Sequence, residues 1–331
     1  MSIEKEQPMK RISFLSLILM FTTFFTVQAS DMKELFSESL GDLGVVKDDT
    51  RICALTNAAY VAPHIIDILQ SETGCSIGKG NLLFYHCPST CPLKVALFRR
   101  DTRAAVVITT HADNTKERAQ LNLSMLNAKN TASWRKIRRS LGNDAVTLVS
   151  ILNAWADGAP WDYLKCAEFH NHSCAGICSG YLLVKYIQRH YPLSGTESYS
   201  YIAAPRWCKE DALQVLLDLT PGKRRMKTMD LTDQQQKLLP SANVAGILIT
   251  RQDRNGPGTA RILTFDWSLV KRGAAKSAPG GMKSNPLSWT DSPEKYVQTV
   301  FEREVSAAEI DSINQAGTNP YELLGYRKTG N

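Results

Sequence analysis

Beyond its first 29 residues this 331-residue chain has no long apolar run. No later segment therefore reaches the roughly 20 residues that a membrane-spanning helix needs. Aromatic residues are missing from its basic clusters, "RKIRR" at 135–139 and "GKRRMK" at 222–227. Proteins that hold single-stranded nucleic acid place stacking rings among their cations, so both clusters read as solvated faces and no nucleic-acid partner is expected. Cysteine is sparse, with eight residues, none before Cys53, none after Cys208 and no pair at Cys-x-x-Cys spacing. Histidine is also absent after Cys208, so the C-terminal segment from Ser292 is expected to contribute nothing to a metal site built of Cys and His.

What the chain does have begins at its start. In "MKRISFLSLILMFTTFFTVQAS" (residues 9–30) a basic pair, Lys10 and Arg11, precedes an apolar run and the small residues Val27 and Ala29. This is the pattern of a secretory signal cleaved after Ala29, so 1–29 is expected to be a leader and the mature chain to be periplasmic or secreted. The alternative, an uncleaved anchor, needs a longer run. The formal charge of +7 is carried mostly by the mature part. About 300 mature residues exceed one ordinary core, and two domains are the expectation.

The cysteines divide equally: Cys53, Cys75, Cys87 and Cys91, then Cys166, Cys174, Cys178 and Cys208. Such symmetry invites a search for a repeat. At an offset of 144 residues, "DILQSETGCSIGK" (67–79) aligns without a gap on "DALQVLLDLTPGK" (211–223). Both have apolar residues spaced as on one helix face, and both reach a Gly-Lys where the helix should stop. Each is followed by a two-strand pattern, at 92–110 and at 243–267, the latter with "DRNGPG" as turn chemistry. The expected fold is α+β, with two related units at 31–130 and 143–272, each a helix packed on a small antiparallel sheet. The polar stretch 114–142 reads as a helical connector. A Gly/Pro/Ser/Ala-rich linker is expected at 273–291. A helical tail at 292–331 is expected to follow, capped by Ser292 with Pro293 at its first position.

The densest chemistry lies in "LKCAEFHNHSCAGICSG" (164–180), with three cysteines and two histidines. The apolar spacing of a buried helix begins at "AGIC", with Asn171 and Ser173 as capping candidates. His170, His172 and Cys174 then sit at that helix's start, where backbone N–H groups and the dipole favour a thiolate. A thiolate beside two imidazoles suits zinc or another divalent transition metal, and Cys208, opening the repeated helix, is the natural fourth ligand. Exported cysteines are more often disulfide-bonded, and spacing alone leaves metal and disulfides open.

"FHNHSCAGICSGY" (169–181) resembles the Phe-His-Gly-His-x-Cys-Pro-Gly-x-x-x-Gly signature of the FmdE family, which takes its name from formylmethanofuran dehydrogenase. "CKEDALQVLLDLTPGK" (208–223) is similar to that family's distal cysteine segment. "LTNAAY" and "GCSIGKGNLL" in the first half resemble an extra N-terminal copy found in longer members. The resemblance implies an α+β domain holding a metal, commonly zinc, through His170, His172, Cys174 and Cys208. Asp211 and Gln214 also match, and are read as capping and packing. The departures are Asn171 for Gly, Ala175 for Pro and Leu219 for Cys. In the first half the nearest analogue, "YHCPSTCPL" with His86, Cys87 and Cys91, is a disulfide, a degenerate copy or a second site, the first two being favoured because prolines interrupt it. No molybdopterin or iron–sulfur pattern is present, and an exported chain cannot join a cytoplasmic one-carbon complex. The expected function is an exported zinc-like metal-binding protein that handles or senses a metal or metal-bearing compound, with a small-molecule ligand and homo-oligomerisation left open. The alternatives are a zinc enzyme activating water or a substrate oxygen, with Glu168 or His170 as acid or base, and a disulfide-stapled scaffold without metal.

Overall fold

The computed structural model describes residues 30–123, 131–239, 241–253, 255–269, 289, 292–315 and 317–326. The leader expected at 1–29, and the linker expected at 273–291 apart from Trp289, lie outside the described residues. The fold is α+β, with two five-stranded sheets. Among the described residues no helix is long and apolar enough to cross a membrane.

The chain divides into two compact units. The first takes the chain up to Leu82, then Cys87–Arg99 and Ala105–Gln120; the second takes Leu83–His86, Arg100–Ala104 and everything from Leu121. In the first, helix α1 (30–42) buries Met32, Phe36 and Leu40, spaced four apart on one face. Strand β1 (Ile52–Thr56) and the short helix α2 (Ala58–Val61) lead to α3 (His64–Thr73), which buries Ile65, Leu69 and Thr73 at the same spacing. Then come β2 (Leu82–Phe84), β3 (Leu93–Arg99), β4 (Ala104–Thr110) and β5 (Lys116–Asn122), giving the sheet order β2-β1-β3-β4-β5. The buried runs "ICALT" and "LKVALFR" form its interior, paired antiparallel from Ile52↔Arg99 to Thr56↔Val95. Strand β5 is mostly polar, with Leu121 its one buried residue, and its Lys116 pairs with Asp31 of α1 at 2.8 Å.

The second unit continues with α4 (Thr131–Leu141), α5 (Ala145–Ala156), α6 (Trp161–Phe169), α7 (Ala175–His190), β6 (Ser198–Ala203), α8 (Lys209–Leu217), β7 (Met226–Thr228), α9 (Asp233–Lys237), β8 (Val244–Arg251) and β9 (Gly258–Phe265). Strand β10 (Val297–Val305) and helices α10 (Ala307–Ile313) and α11 (Pro320–Leu323) end it. The sheet order is β10-β9-β8-β6-β7. Relabelled in chain order, it is the topology of the first sheet. The sheet is not wholly antiparallel: β6 and β7 run parallel because α8 carries the chain back between them.

Three expectations are corrected here. The segment from Ser292 does not become one helix. Ser292 and Pro293 start only a three-residue turn, and the alternation of Val297, Thr299, Phe301, Arg303 and Val305 makes β10, which pairs antiparallel with β9. Helices α10 and α11 then cover the sheet, with Ile310, Ile313, Tyr321 and Leu324 buried against Ile247, Ile249 and Ile262. Within the stretch 114–142, Lys116–Asn122 forms strand β5 and Thr131–Leu141 a helix, while 124–130 lie outside the described residues. The repeated helices also stop before their Gly-Lys, at Gly74 (φ 74°) and Asp218 (φ 57°), equivalent positions that both adopt the left-handed conformation. The Lys of each Gly-Lys then reaches back to that cap: Lys79 donates to the Gly74 carbonyl at 2.9 Å, and Lys223 pairs with the Asp218 carboxylate.

Helix α7 is buried along nearly its whole length, as an interior helix should be. It meets α8 through glycine: a Cβ at Gly180 would stand 2.2 Å from the Lys209 carbonyl oxygen and 2.9 Å from the Ala212 Cβ. Gly180→Ala should therefore lower stability by ~1–3 kcal/mol through overpacking, although alanine is the better helix former by ~1 kcal/mol. Gly222→Ala, whose Cβ would meet nothing within 4 Å, should leave the melting temperature unchanged. A Gly180→Ala protein melting at or above the parent temperature would show that the helices have room there.

Candidate metal centre

The five residues between α6 and α7 form the site. His170 is the C-cap of α6 and Cys174 the N-cap of α7. The break between them comes from Asn171, whose φ of 63° ends α6 in the left-handed region. Asn tolerates this conformation better than most side chains, which explains how it replaces the Gly of the signature. Its amide also makes a two-bond clamp on the His86 backbone, accepting from the N–H at 2.7 Å and donating to the carbonyl at 3.0 Å. Ser173 is held by its N–H to Ser150 Oγ (2.9 Å) and by its hydroxyl to the buried Tyr163 phenol (2.6 Å). Neither Asn171 nor Ser173 caps α7, as the spacing suggested; the Cys174 sulfur does, accepting from the Ile177 N–H at 3.4 Å.

Ligand atoms of His170, His172 and Cys174 all lie within 4.8 Å of one another. Nε2 of His170 is 3.7 Å from Cys174 Sγ, and the two imidazole centroids are 4.3 Å apart. Bond lengths of ~2.0 Å to nitrogen and ~2.3 Å to sulfur put tetrahedral zinc ligands roughly 3.3–3.8 Å apart, so the donor set fits such an ion. Among the described residues it is the one group of three or more His, Cys, Asp or Glu side chains arranged this way.

Cys208 reaches this group from α8, where it is the N-cap. Gly176 admits it: a Cβ there would be 2.6 Å from the Cys208 Cβ and 3.3 Å from its sulfur. The turn before Cys208 is fixed by a buried ion pair, Lys209 with Glu210 at 2.5 Å. Glu210 also accepts from the Trp207 N–H at 2.6 Å, and Lys209 donates to the Pro205 carbonyl at 2.9 Å. Cys174 and Cys208 both carry free thiols. The hydrogen bond from Cys208, with the N–H groups of Ile177 and Gly176, brings Cys174 down to about 7 against its burial. Donating that proton pushes Cys208 up to about 12.

Asp211 does more than the capping and packing that its place in the sequence suggests. Its carboxylate lies 2.6 Å from His170 Nδ1, while its other oxygen accepts from Gln214 at 3.0 Å. Burial opposes a charge on His170, yet Asp211 and Cys208 raise it to about 9. Burial and the neighbouring His170 push His172 down. With Nδ1 engaged by Asp211, Nε2 is the nitrogen turned to Cys174, the arrangement by which carboxylates orient metal-binding imidazoles. The signal in the sequence is the spacing: Asp211 follows Cys208 by three residues and shares its helix face. Glu168, considered as an acid or base, is ion-paired with Lys165 at 2.6 Å. In the first half of the chain the Cys87 sulfur accepts from Asn57 at 3.3 Å and Cys91 is a free thiol, so the disulfide favoured for "YHCPSTCPL" is not formed.

Residues 169–276 match the family model described as FmdE, Molybdenum formylmethanofuran dehydrogenase operon. This match supports FmdE family membership. It begins at Phe169, beside the first ligand candidate, and covers α7, β6, α8 and the β8–β9 hairpin. No curated protein matches the chain.

Asp211→Asn should leave the far-ultraviolet circular dichroism intact and weaken zinc binding, measured by chelator competition, by ~10–100-fold, the usual loss when an orienting carboxylate is removed. An unchanged affinity would reduce the Asp211–His170 bond to packing.

Proposed function

We propose that the chain is an exported metal-binding protein of the FmdE type that handles or senses a metal or a metal-bearing compound. The observation carrying this reading is the grouping of the His170, His172 and Cys174 ligand atoms within 4.8 Å of one another, with the Cys208 thiol hydrogen-bonded to Cys174 beside them. Under it, His170, His172, Cys174 and Cys208 hold one zinc-like ion. The low proton affinity of Cys174 suits it as the first thiolate, and the Asp211–His170 bond supplies an oriented imidazole. Such an ion, once bound, brings positive charge and Lewis acidity, and with four protein ligands its shell is closed and structural or storage-like.

Two features support a small-molecule partner beside the ion. Phe169 and Trp207, the neighbours of two of the ligands, are about half exposed, and Trp207 rests on Trp267 with centroids 4.6 Å apart. Exposed rings flanking a polar centre suit an organic body carried with the metal. The shared topology of the two sheets supports descent from a duplicated unit, of which the second retains the ligands. The leader-like residues 1–29 support export to the periplasm or medium.

The purified mature protein should contain one zinc-like ion per chain by elemental analysis. Cys174→Ser should lose it, whereas Cys87→Ser and Cys91→Ser should keep it. Because the thiol and imidazolium protons must leave before metal binds, affinity should fall as pH drops through about 9, where His170 takes up its proton, and further through about 7, where Cys174 does. A metal-free protein, or a Cys174→Ser variant with full metal, would contradict the reading.

A further inference from the structure

A cavity of about 1060 Å³ opens in the second unit, on the edge of its sheet formed by β7. Its cations are Lys223, Arg224, Arg225, Lys227 and Arg251. Ser198 and Ser200, two apart on β6 and so on one face, contribute hydroxyls, and Ser198 pairs in register with Arg251. Asp311 of α10 and the C-cap of that helix, Asn314, also line it. The carboxylates in reach are Asp218, which pairs with Lys223 and Arg225, and Asp253 and Asp311, which act on Arg251. Five cations thus face three acids. Among the described residues Arg224 and Lys227 have no acidic partner.

Comparison within the chain shows that the fold does not require this charge. At the offset of 144, Arg224, Arg225 and Lys227 correspond to Gly80, Asn81 and Leu83. Gly80 has φ 67° and Arg224 has φ 57°, so both copies keep a left-handed residue at this point. Glycine occupies that conformation without steric conflict, and arginine seldom does. The second unit has an exposed arginine in a slot suited to glycine, directed to no acid, beside two further cations its counterpart lacks.

From this we infer a second binding site, independent of the metal centre, for a compact polyphosphorylated small molecule. The volume matches small-ligand cavities. Guanidinium forks and hydroxyls recognise phosphate oxygens through short charge-assisted bonds. No aromatic residue lines the cavity, which disfavours a nucleic-acid strand that would need stacking platforms.

The test is titration calorimetry of the full mature protein with inorganic tripolyphosphate, with sulfate and a short single-stranded DNA as comparisons. Saturable 1:1 binding of tripolyphosphate is expected, tighter than sulfate and weakening as salt is raised. Arg224→Glu with Lys227→Glu should reduce affinity by tenfold or more, whereas Cys91→Ser, outside both sites, should leave it unchanged. Arg224→Gln alone, at an exposed position, should show a smaller loss in the same direction and serves if the double variant does not fold. Absence of saturable binding, full affinity in the Arg224 variants, or tighter binding of the DNA through the same residues would overturn the proposal.

Discussion

The close approach of α7 and α8 is the constraint on which the second unit depends. Two glycines one helical turn apart, Gly176 and Gly180, leave no side chain where the start of α8 must lie. That contact brings Cys208, 34 positions after Cys174 in the chain, to the thiolate at the start of α7. The buried Lys209–Glu210 pair then fixes the turn beneath it. A buried ion pair is weak evidence for added stability. Here it joins the chain at Pro205 and Trp207 to α8, so its contribution is to place Cys208 rather than to hold the fold together.

The electrostatics follow from the same packing. Once Cys208 and Cys174 meet, one proton serves two sulfurs, lowering Cys174 and raising Cys208. Asp211, one turn into α8, comes to lie against His170 by the same approach. The helix start contributes too, since the N–H groups of Gly176 and Ile177 stabilise the Cys174 thiolate. The centre is therefore assembled by helix ends whose unsatisfied backbone groups already favour its charges.

Much of this is legible in the sequence for identifiable physical reasons. The offset of 144 is visible because both repeated helices need the same apolar face and the same reach back from Lys79 or Lys223. The break before α7 is visible because its apolar spacing begins only at Ala175. Strand β10 is hidden behind a Ser-Pro cap signal, which competes with the period-two alternation that follows it. The role of Asp211 is hidden because a carboxylate in the first turn of a helix is fully explained by the dipole. Its contact with His170 depends on tertiary packing that the Gly-x-x-x-Gly of α7 hints at but does not specify. The left-handed Asn171 and Arg224 are not apparent because neither residue type announces positive φ as glycine does.

The central claim is that two thiols from separate helices meet at one ion, and substitution with cobalt(II) tests it most directly. Thiolate coordination gives near-ultraviolet charge-transfer bands whose intensity scales with the number of sulfurs bound. The account predicts a spectrum for two thiolates in the parent protein, falling to about half its intensity in Cys208→Ser, as one of the two ligating sulfurs is lost. A parent spectrum with no such bands, or a Cys208→Ser spectrum indistinguishable from the parent, would contradict it.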